Sequence, residues 1–232
     1  MNMRIKFSII GSFLYESFQL FITYAPGRLG NRLRYRYYKR KLKHLGQGVI
    51  IDFGVNLINP HLISIGDKTH IDRWVTLAAG KAVEGKRKIY RKSNPKFHYE
   101  EGEIYIGAEI HIAPYAYIVG AGGVEIQDRS GLAAGAKVFS VSHHFRNLND
   151  PEDATNYVFG NRVDEEDQAL ILGPVVMEKN SAIGLNSVML PGVTIGQNSW
   201  VGVLSCVSED IPANAIARGN PAQTIKSRGK DS

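Results

Sequence analysis

Two adjacent histidines, His143 and His144, stand in the segment VFSVSHHF and offer side chains suited to acid–base chemistry. An imidazole with its ordinary pKa of about 6.5 is largely neutral at pH 7 and can take a proton from an attacking group. The single cysteine, Cys206, has no basic residue near it in the sequence, which favours a small buried side chain over a nucleophile. The chain therefore offers candidate bases but no activated nucleophile for a covalent intermediate.

A six-residue period indicates the elements that must position these groups. Isoleucine, valine or methionine recurs at every sixth position from Ile171 to Val207. This spacing fits neither an α-helix, which has about 3.6 residues per turn, nor a simple strand, which repeats every two. It fits a chain that turns a corner every six residues and returns over itself after three corners. The sequence therefore predicts an all-β fold, a parallel β-helix.

The hexads group into coils of three, and we expect roughly six coils. The segment from about Gly48 to Ser64, with Ile51 and Leu57 in phase, is expected to form an irregular first coil. The regular coils are assigned to Ile65, Ile71 and Leu77; Ile106, Ile112 and Ile118; Ile126, Leu132 and Val138; Met177, Ile183 and Met189; and Ile195, Val201 and Val207.

Three insertions interrupt the period, and each follows the third hexad of a coil. About 23 extra residues follow the first regular coil, two lie around Gly120 to Gly123, and 20 or more precede the fourth. All three must leave from the same edge of the prism. Insertions that gather on one face of a repeat protein usually build its binding site.

The N-terminal segment has a different character. Ile5 to Tyr24 is mostly apolar but contains Glu16, which would be costly inside a bilayer, so we expect an amphipathic helix rather than a membrane span. An arginine-rich helix, RLGNRLRYRYYKRKLKHLG, follows Pro26 and Gly27. Residues 5–43 could contact an anionic membrane peripherally, or pack on the prism or a partner subunit.

These patterns divide the 232 residues into a helical segment at 1–46, a β-helix at 47–212 and a C-terminal tail at 213–232. The net charge is +6, but the basic runs lie in no recognisable nucleic-acid module, so no nucleic acid is expected as a partner. A single cysteine fits a reducing, cytoplasmic compartment.

The repeat, the segment Gly219–Ala222 and the block MLPGVTIGQNSWVGVLSCVSEDIPANAIARGNPA resemble the hexapeptide-repeat acyltransferases. The resemblance covers about Ile65 to Ile225 and is closest to bacterial sugar O-acetyltransferases, including those that decorate surface polysaccharides. It implies a left-handed β-helix, acetyl-CoA as co-substrate, and a homotrimer with active sites between its subunits.

The resemblance also implies site residues. His143 matches the family's general base, with His144 as its rival, although the proline that follows this histidine in sugar acetyltransferases is missing. The implied coenzyme A contacts are Leu185, Val203, Ser208 and Lys226. Glu209, Gln223 and Ala182 replace residues expected near the coenzyme, so Arg218 or Arg228 is expected to hold its nucleotide end.

No metal site is expected. His70 and His111 each precede an in-register isoleucine and, with His143, resemble the metal ligands of hexapeptide-repeat carbonic anhydrases. Those enzymes pair two histidines five residues apart, and no such pair occurs in this sequence. Exposed histidines at turns are the simpler interpretation of His70 and His111.

The expected function is acetyl transfer from acetyl-CoA to a sugar hydroxyl, in surface polysaccharide biosynthesis. The acceptor is a sugar or a lipid-linked glycan, and the place is the cytoplasm or the cytoplasmic face of the inner membrane. Two alternatives stay open: N-acetylation of an amino sugar, and a non-catalytic β-helix that scaffolds a glycan-assembly complex.

Overall fold

The computed structural model describes residues 3–160 and 162–229, with side chains from residue 13 onward. These residues form a left-handed parallel β-helix that follows two α-helices, as the sequence predicts. Residues 230–232 of the predicted tail lie outside the described part of the chain.

Six complete coils can be traced in the described residues, each with three short strands. Coil 1 holds β1 (His44–Leu45), β2 (Ile50–Ile51) and β3 (Asn56–Ile58); coil 2 holds β4 (Ile63–Ile65), β5 (His70–Ile71) and β6 (Thr76–Ala78), followed by β7 (Lys88–Arg91). Coil 3 holds β8 (Ile104–Ile106), β9 (His111–Ile112) and β10 (Tyr117–Val119); coil 4 holds β11 (Val124–Ile126), β12 (Gly131–Leu132) and β13 (Lys137–Phe139), followed by β14 (Val141–His144) and β15 (Ala169–Leu172). Coil 5 holds β16 (Val175–Met177), β17 (Ala182–Ile183) and β18 (Val188–Met189); coil 6 holds β19 (Thr194–Ile195), β20 (Trp200–Val201) and β21 (Cys206–Val207), followed by β22 (Ala215–Arg218) and β23 (Gln223–Ser227).

The coils stack into three parallel sheets, which we call A, B and C in the order in which each coil visits them. Every predicted coil position falls in register: Ile65 pairs with Ile106 in sheet A, Ile71 with Ile112 in sheet B, and Leu77 with Ile118 in sheet C. The aliphatic side chains at these positions are almost completely buried and form the core. Their burial supplies the main stabilising free energy of the prism.

Two details of the predicted repeat are wrong. The first coil is regular rather than irregular, because Leu45 pairs with Ile65 and so begins a full set of hexads. Ile171 continues the six-residue count by coincidence: it lies on β15, opposite Ser142 and Tyr90, outside the prism. The helix phase resumes only at Met177, which pairs with Ile126.

The β-helix also extends beyond the predicted range of 47–212 at both ends. It begins with β1 at His44, inside the segment assigned to helices. After coil 6, Ile211 forms a bridge to Ile195 and β22 pairs with β20, which adds a partial seventh coil. The strand β23 then turns back antiparallel to β22, so the described part of the tail belongs to sheet B.

The corners explain the glycines and asparagines of the sequence. Residues between sheets A and B adopt positive φ, including Asn180 at 58° and Asn198 at 60°. Asparagine and glycine tolerate this left-handed conformation best. Small buried serines complete the corners: the Ser187 hydroxyl donates to the carbonyl of Gly202 at 2.8 Å, one coil away.

Helices α1 (Met3–Tyr24) and α2 (Gly27–Tyr38) pack against the first coil. The buried guanidinium of Arg34 joins them to the prism, donating to the carbonyls of Ala25 and Ile51 at 2.7 Å each. The basic helix was predicted to run on to Gly46, but it ends at Tyr38 because Leu45 is taken into coil 1. No helix in the described residues is both long enough and apolar enough to cross a bilayer.

All three insertions leave between sheets C and A, as predicted. The two long ones meet and form a fourth sheet, which we call sheet D: β15 pairs antiparallel with β14 and parallel with β7. Residues about 80 positions apart in the sequence thus become neighbours, as with the pairing of Leu170 and Ile89. Sheet D carries both candidate bases.

Candidate active site

Sheet D holds His143 and His144 on opposite faces. His143 lies opposite Leu170 and His144 opposite Ala169 in the antiparallel pairing of β14 with β15. Successive side chains of a strand point to opposite faces of the sheet. The two imidazoles therefore cannot both line the same cleft.

His143 is half-buried, and its surroundings favour the neutral imidazole. Its Nδ1 atom is buried and has no hydrogen-bond partner among the described residues. The ring of Phe159 covers it, with the ring centroids 4.5 Å apart. Burial lowers the pKa of His143 below its ordinary value, and the positive charge of Arg87 lowers it further. A neutral imidazole at pH 7 is the form that can accept a proton.

Arg87 is a fixed cation on the neighbouring insertion. Its Nη1 donates to the Glu165 carboxylate at 2.7 Å, and its Nε donates to the Gln168 side-chain oxygen at 3.0 Å. Only 16% of its side chain is exposed. In the sequence Arg87 stands between Lys86 and Lys88, and no local signal shows that two distant insertions pair beside His143.

His144 is held by its own loop. Its Nδ1 accepts a hydrogen bond from the Arg146 amide at 3.1 Å and lies 2.9 Å from the Arg146 carbonyl oxygen. Its ring stacks on Phe145, with a centroid separation of 4.6 Å. The Nδ1 atom and one face of the His144 ring are thus engaged by neighbouring residues of the same loop. This favours His143 as the imidazole that is available to a substrate.

Two of the predicted coenzyme contacts, Leu185 and Val203, lie together at a different edge. Both are exposed and follow the strands β17 and β20, at the corner between sheets B and C. Neither backbone amide donates to another backbone group within the described residues. A Cβ built on Gly184 would lie 2.7 Å from the Val203 nitrogen, so the two coils touch closely at this corner.

The other predicted contacts lie near the C-terminal end of the stack. Ser208 follows β21 at the edge between sheets C and A, and Lys226 is exposed on β23, opposite Ile216. Arg218 ends β22. Arg228 donates to the Asn198 carbonyl at 2.9 Å and lies 5.7 Å above the Trp200 ring. Trp200 is half-exposed and was not singled out from the sequence.

One chain does not bring these residues into a single site. His143 extends from the edge between sheets C and A, whereas Leu185 and Val203 lie at the edge between sheets B and C. The whole width of sheet C separates the candidate base from the candidate donor corner.

The proteins to which this chain is similar in sequence or structure include several acyltransferases. The dTDP-4-amino-4,6-dideoxy-D-glucose acyltransferase of Escherichia coli is 29% identical over 188 residues, which is 81% of this chain and 83% of that protein. The N-acyltransferase AntD of Bacillus cereus, solved with dTDP and 3-hydroxybutyryl-CoA, matches with a TM-score of 0.66 and 23% identity, covering 85% of this chain and 89% of the other.

A hexapeptide-repeat acetyltransferase from Vibrio cholerae O1 biovar eltor, solved with acetyl coenzyme A, matches with a TM-score of 0.52 and 21% identity, covering 91% of this chain and 83% of that one. The likeness to these two structures establishes the shared fold. No family model matches the chain. None of these three relatives is named for a metal-dependent reaction.

Proposed function

Because this chain belongs to the hexapeptide-repeat acyltransferases, which draw acyl groups from coenzyme A, we propose that it acylates the amino group of a nucleotide-linked amino sugar. The observation that carries this proposal is the match to the Escherichia coli enzyme over 81% of the chain, which includes both long insertions as well as the repeat. The relatives favour this N-acylation over the O-acetylation expected from the sequence.

His143 is the proposed general base. As the acceptor nitrogen bonds to the thioester carbonyl, it becomes positively charged and must lose a proton. The neutral imidazole of His143 takes that proton, the carbon–sulfur bond breaks, and the imidazolium returns the proton to the departing sulfur of coenzyme A. The low pKa caused by burial and Arg87 keeps the imidazole in its receptive form.

The donor is proposed to lie along the corner that holds Leu185 and Val203, where two backbone amides can donate to the pantetheine arm. Ser208 and Lys226 extend this path, and Arg228 above Trp200 offers a cation and an aromatic ring to the nucleotide end. A homotrimer, with His143 of one subunit facing the donor corner of the next, is the arrangement we propose, since one chain keeps these groups apart.

The decisive experiment incubates the purified full chain with acetyl-CoA and dTDP-4-amino-4,6-dideoxyglucose, and follows free thiol and product mass. We expect a product that is acetylated on nitrogen and therefore stable to mild alkali. An alkali-labile product would mean ester formation and would return the function to O-acetylation. Calorimetry that detects no coenzyme A binding would support the non-catalytic scaffold instead.

We also propose that the N-terminal helices hold the enzyme on the cytoplasmic face of an anionic membrane. Phe13, Leu14 and Phe21 of α1 are exposed, and α2 presents Arg28 and Arg32 beside them in the chain. Exposed apolar rings next to dense positive charge suit an anionic lipid surface.

Cosedimentation with phosphatidylserine vesicles tests this contact. Replacing both Phe13 and Phe21 with serine should lower binding at least several-fold, because the apolar area that enters the lipid is lost. Tyr115→Ser, an exposed aromatic on coil 3, is the matched control and should bind like the unaltered protein. Equal binding by all three proteins would refute the membrane contact. Removing residues 1–44 would be a poor test, since it would also cut into β1.

A further inference from the structure

Four polar side chains form a staggered grid on the outer face of sheet B, with two of them on coil 2 and one each on coils 1 and 3. His70 and Asp72 flank the buried Ile71, so both point away from the core. His111 is the register partner of His70 in the next coil, and Asp52 follows Ile51, the register partner of Ile71 in the previous coil. Three successive coils therefore place two imidazoles and two carboxylates side by side.

The separations of their donor atoms are compatible with a metal site as well as with hydrogen bonds. His70 Nε2 lies 3.2 Å from Asp52 Oδ2, and His111 Nε2 lies 3.5 Å from Asp72 Oδ2, the latter long for a hydrogen bond. Ligand atoms of Asp52, His70 and Asp72 all lie within 4.8 Å of one another. Tetrahedral zinc, with bonds of about 2.0–2.1 Å, holds its ligand atoms about 3.3 Å apart.

Each carboxylate has one oxygen occupied and the other directed at the histidines. Asp52 Oδ1 accepts from the Asn31 side chain at 3.2 Å, and Asp72 Oδ1 accepts from the Arg73 amide at 2.9 Å. Such outer contacts orient a carboxylate for binding through its remaining oxygen.

The imidazole of His111 lies next to that of His70. Their rings stack with centroids 5.4 Å apart and an interplanar angle of 25°. Two neutral imidazoles and two carboxylates would balance the charge of a divalent cation. Nitrogen ligands favour ions such as Zn²⁺ over Mg²⁺ or Ca²⁺, which prefer all-oxygen sites.

We propose that Asp52, His70 and Asp72, with His111 beside them on the next coil, bind a divalent transition-metal ion of the Zn²⁺ class. The ion would join coils 1 and 2 and, through Asn31, would fix helix α2 to the end of the prism. Its role is structural and independent of the acyl transfer proposed above. This proposal departs from the sequence-based expectation of no metal site. The aspartates and histidines become neighbours only through the register between coils, which the sequence spacing does not show.

The test uses the full chain after dialysis against a chelator. Titration with Co²⁺ should give about one bound ion per chain and the intense visible absorption of tetrahedral cobalt, and Zn²⁺ should displace it and raise the melting temperature. Asp72→Asn, which keeps the size of the side chain, and His70→Ala should each weaken binding at least tenfold. His61→Gln, an exposed histidine outside the grid, is the control and should bind normally.

Circular dichroism confirms that each metal-free variant is folded before titration. Failure of the unaltered chain to bind Co²⁺ or Zn²⁺ stoichiometrically at micromolar concentration would overturn the proposal. Equal affinity of the unaltered and Asp72→Asn proteins would overturn it as well, since the ion would then lie elsewhere. Acyl transfer is measured separately, so failure of the proposed activity leaves these outcomes unaffected.

Discussion

His143 combines two properties that rarely suit a purely structural histidine. Its Nδ1 is buried without a partner among the described residues, and a cation stands beside it. Both disfavour the protonated ring, and unpaired buried polar atoms are costly enough to be uncommon. A substrate or a neighbouring subunit that completes the site would supply the missing hydrogen-bond partner of Nδ1.

Replacing His143 with asparagine should lower kcat about 10²-fold, the ordinary contribution of a positioned base. The KM for the acyl-coenzyme should change little, because the proposed donor contacts are Leu185 and Val203 and His143 acts on the acceptor proton. His144→Asn is the control, with an expected effect within a few-fold. Steady-state kinetics of thiol release checks both variants, and full activity of the His143 variant would exclude it as the base.

The charge of Arg87 should be visible in the titration of His143. Arg87→Gln removes a positive charge that opposes protonation, so the pKa of His143 should rise and the neutral form should appear only at higher pH. NMR of the imidazole resonances measures this without interference from the acceptor amine. Arg91→Gln, which breaks a comparable ion pair on the strand β7 that follows Arg87, should leave the titration unchanged. An unmoved titration in Arg87→Gln would contradict the assignment.

The sequence points to His143 and the donor corner through its resemblance to the acyltransferases, and both stay predictions. It does not reveal Arg87, Phe159 or the pairing of Asp52 with His70. Those neighbours depend on how insertions fold and on which outward side chains meet across coils, and the period of the buried residues carries no information on either.

At the scale of the elements, the corners decide whether the coils stack. At the B–C corner Gly184 lies against Gly202 and Val203 with no room for a methyl group. Gly131, on the same sheet, is different: an added Cβ would find its nearest neighbour, the His111 carbonyl oxygen, at 3.9 Å. The two glycines thus form a natural pair for comparison.

Gly184→Ala should destabilise the protein by about 1–3 kcal/mol through overpacking, which lowers the melting temperature by roughly 2–4 °C per kcal/mol. It should also raise the KM for the acyl-coenzyme, because coils 5 and 6 must separate where Leu185 and Val203 lie. Gly131→Ala should leave both quantities near their original values. Differential scanning calorimetry and kinetics report the outcome, and identical behaviour of the two variants would contradict this account.

The elements themselves were largely predictable, because a buried aliphatic residue every six positions leaves few alternatives for the backbone. The errors have a common physical cause. Leu45 was missed because a basic sequence surrounds it, and Ile171 was accepted because β15 is an apolar strand in which this residue happens to stand six positions before Met177. Burial in sheet D and burial in the prism cannot be distinguished by hydrophobicity alone.

At the scale of the whole molecule, the separation of base and donor corner by sheet C is the strongest argument for assembly. A trimer would give each cleft one wall from each of two subunits. Light scattering should then report three times the chain mass of 25.7 kDa, and a monomeric mass under assay conditions would contradict the shared site.

Mixed trimers provide the sharper test. Subunits with His143→Asn lack the base, and subunits with Val203→Asp place a carboxylate on the exposed donor corner. Each homotrimer should be nearly inactive, while refolded mixtures should regain activity at interfaces that combine an intact His143 with an intact Val203. Activity that never exceeds that of either parent would place both groups in the same subunit.

Because every insertion leaves the prism and re-enters it in the same register, loop length is uncoupled from the stacking of the coils. Under the proposed function, acceptor preference could therefore diverge by exchange of segments 79–102 and 140–174 without a change in the coils that carry Leu185 and Val203. In such a scaffold the insertions can change in length and sequence while the stacked coils are retained.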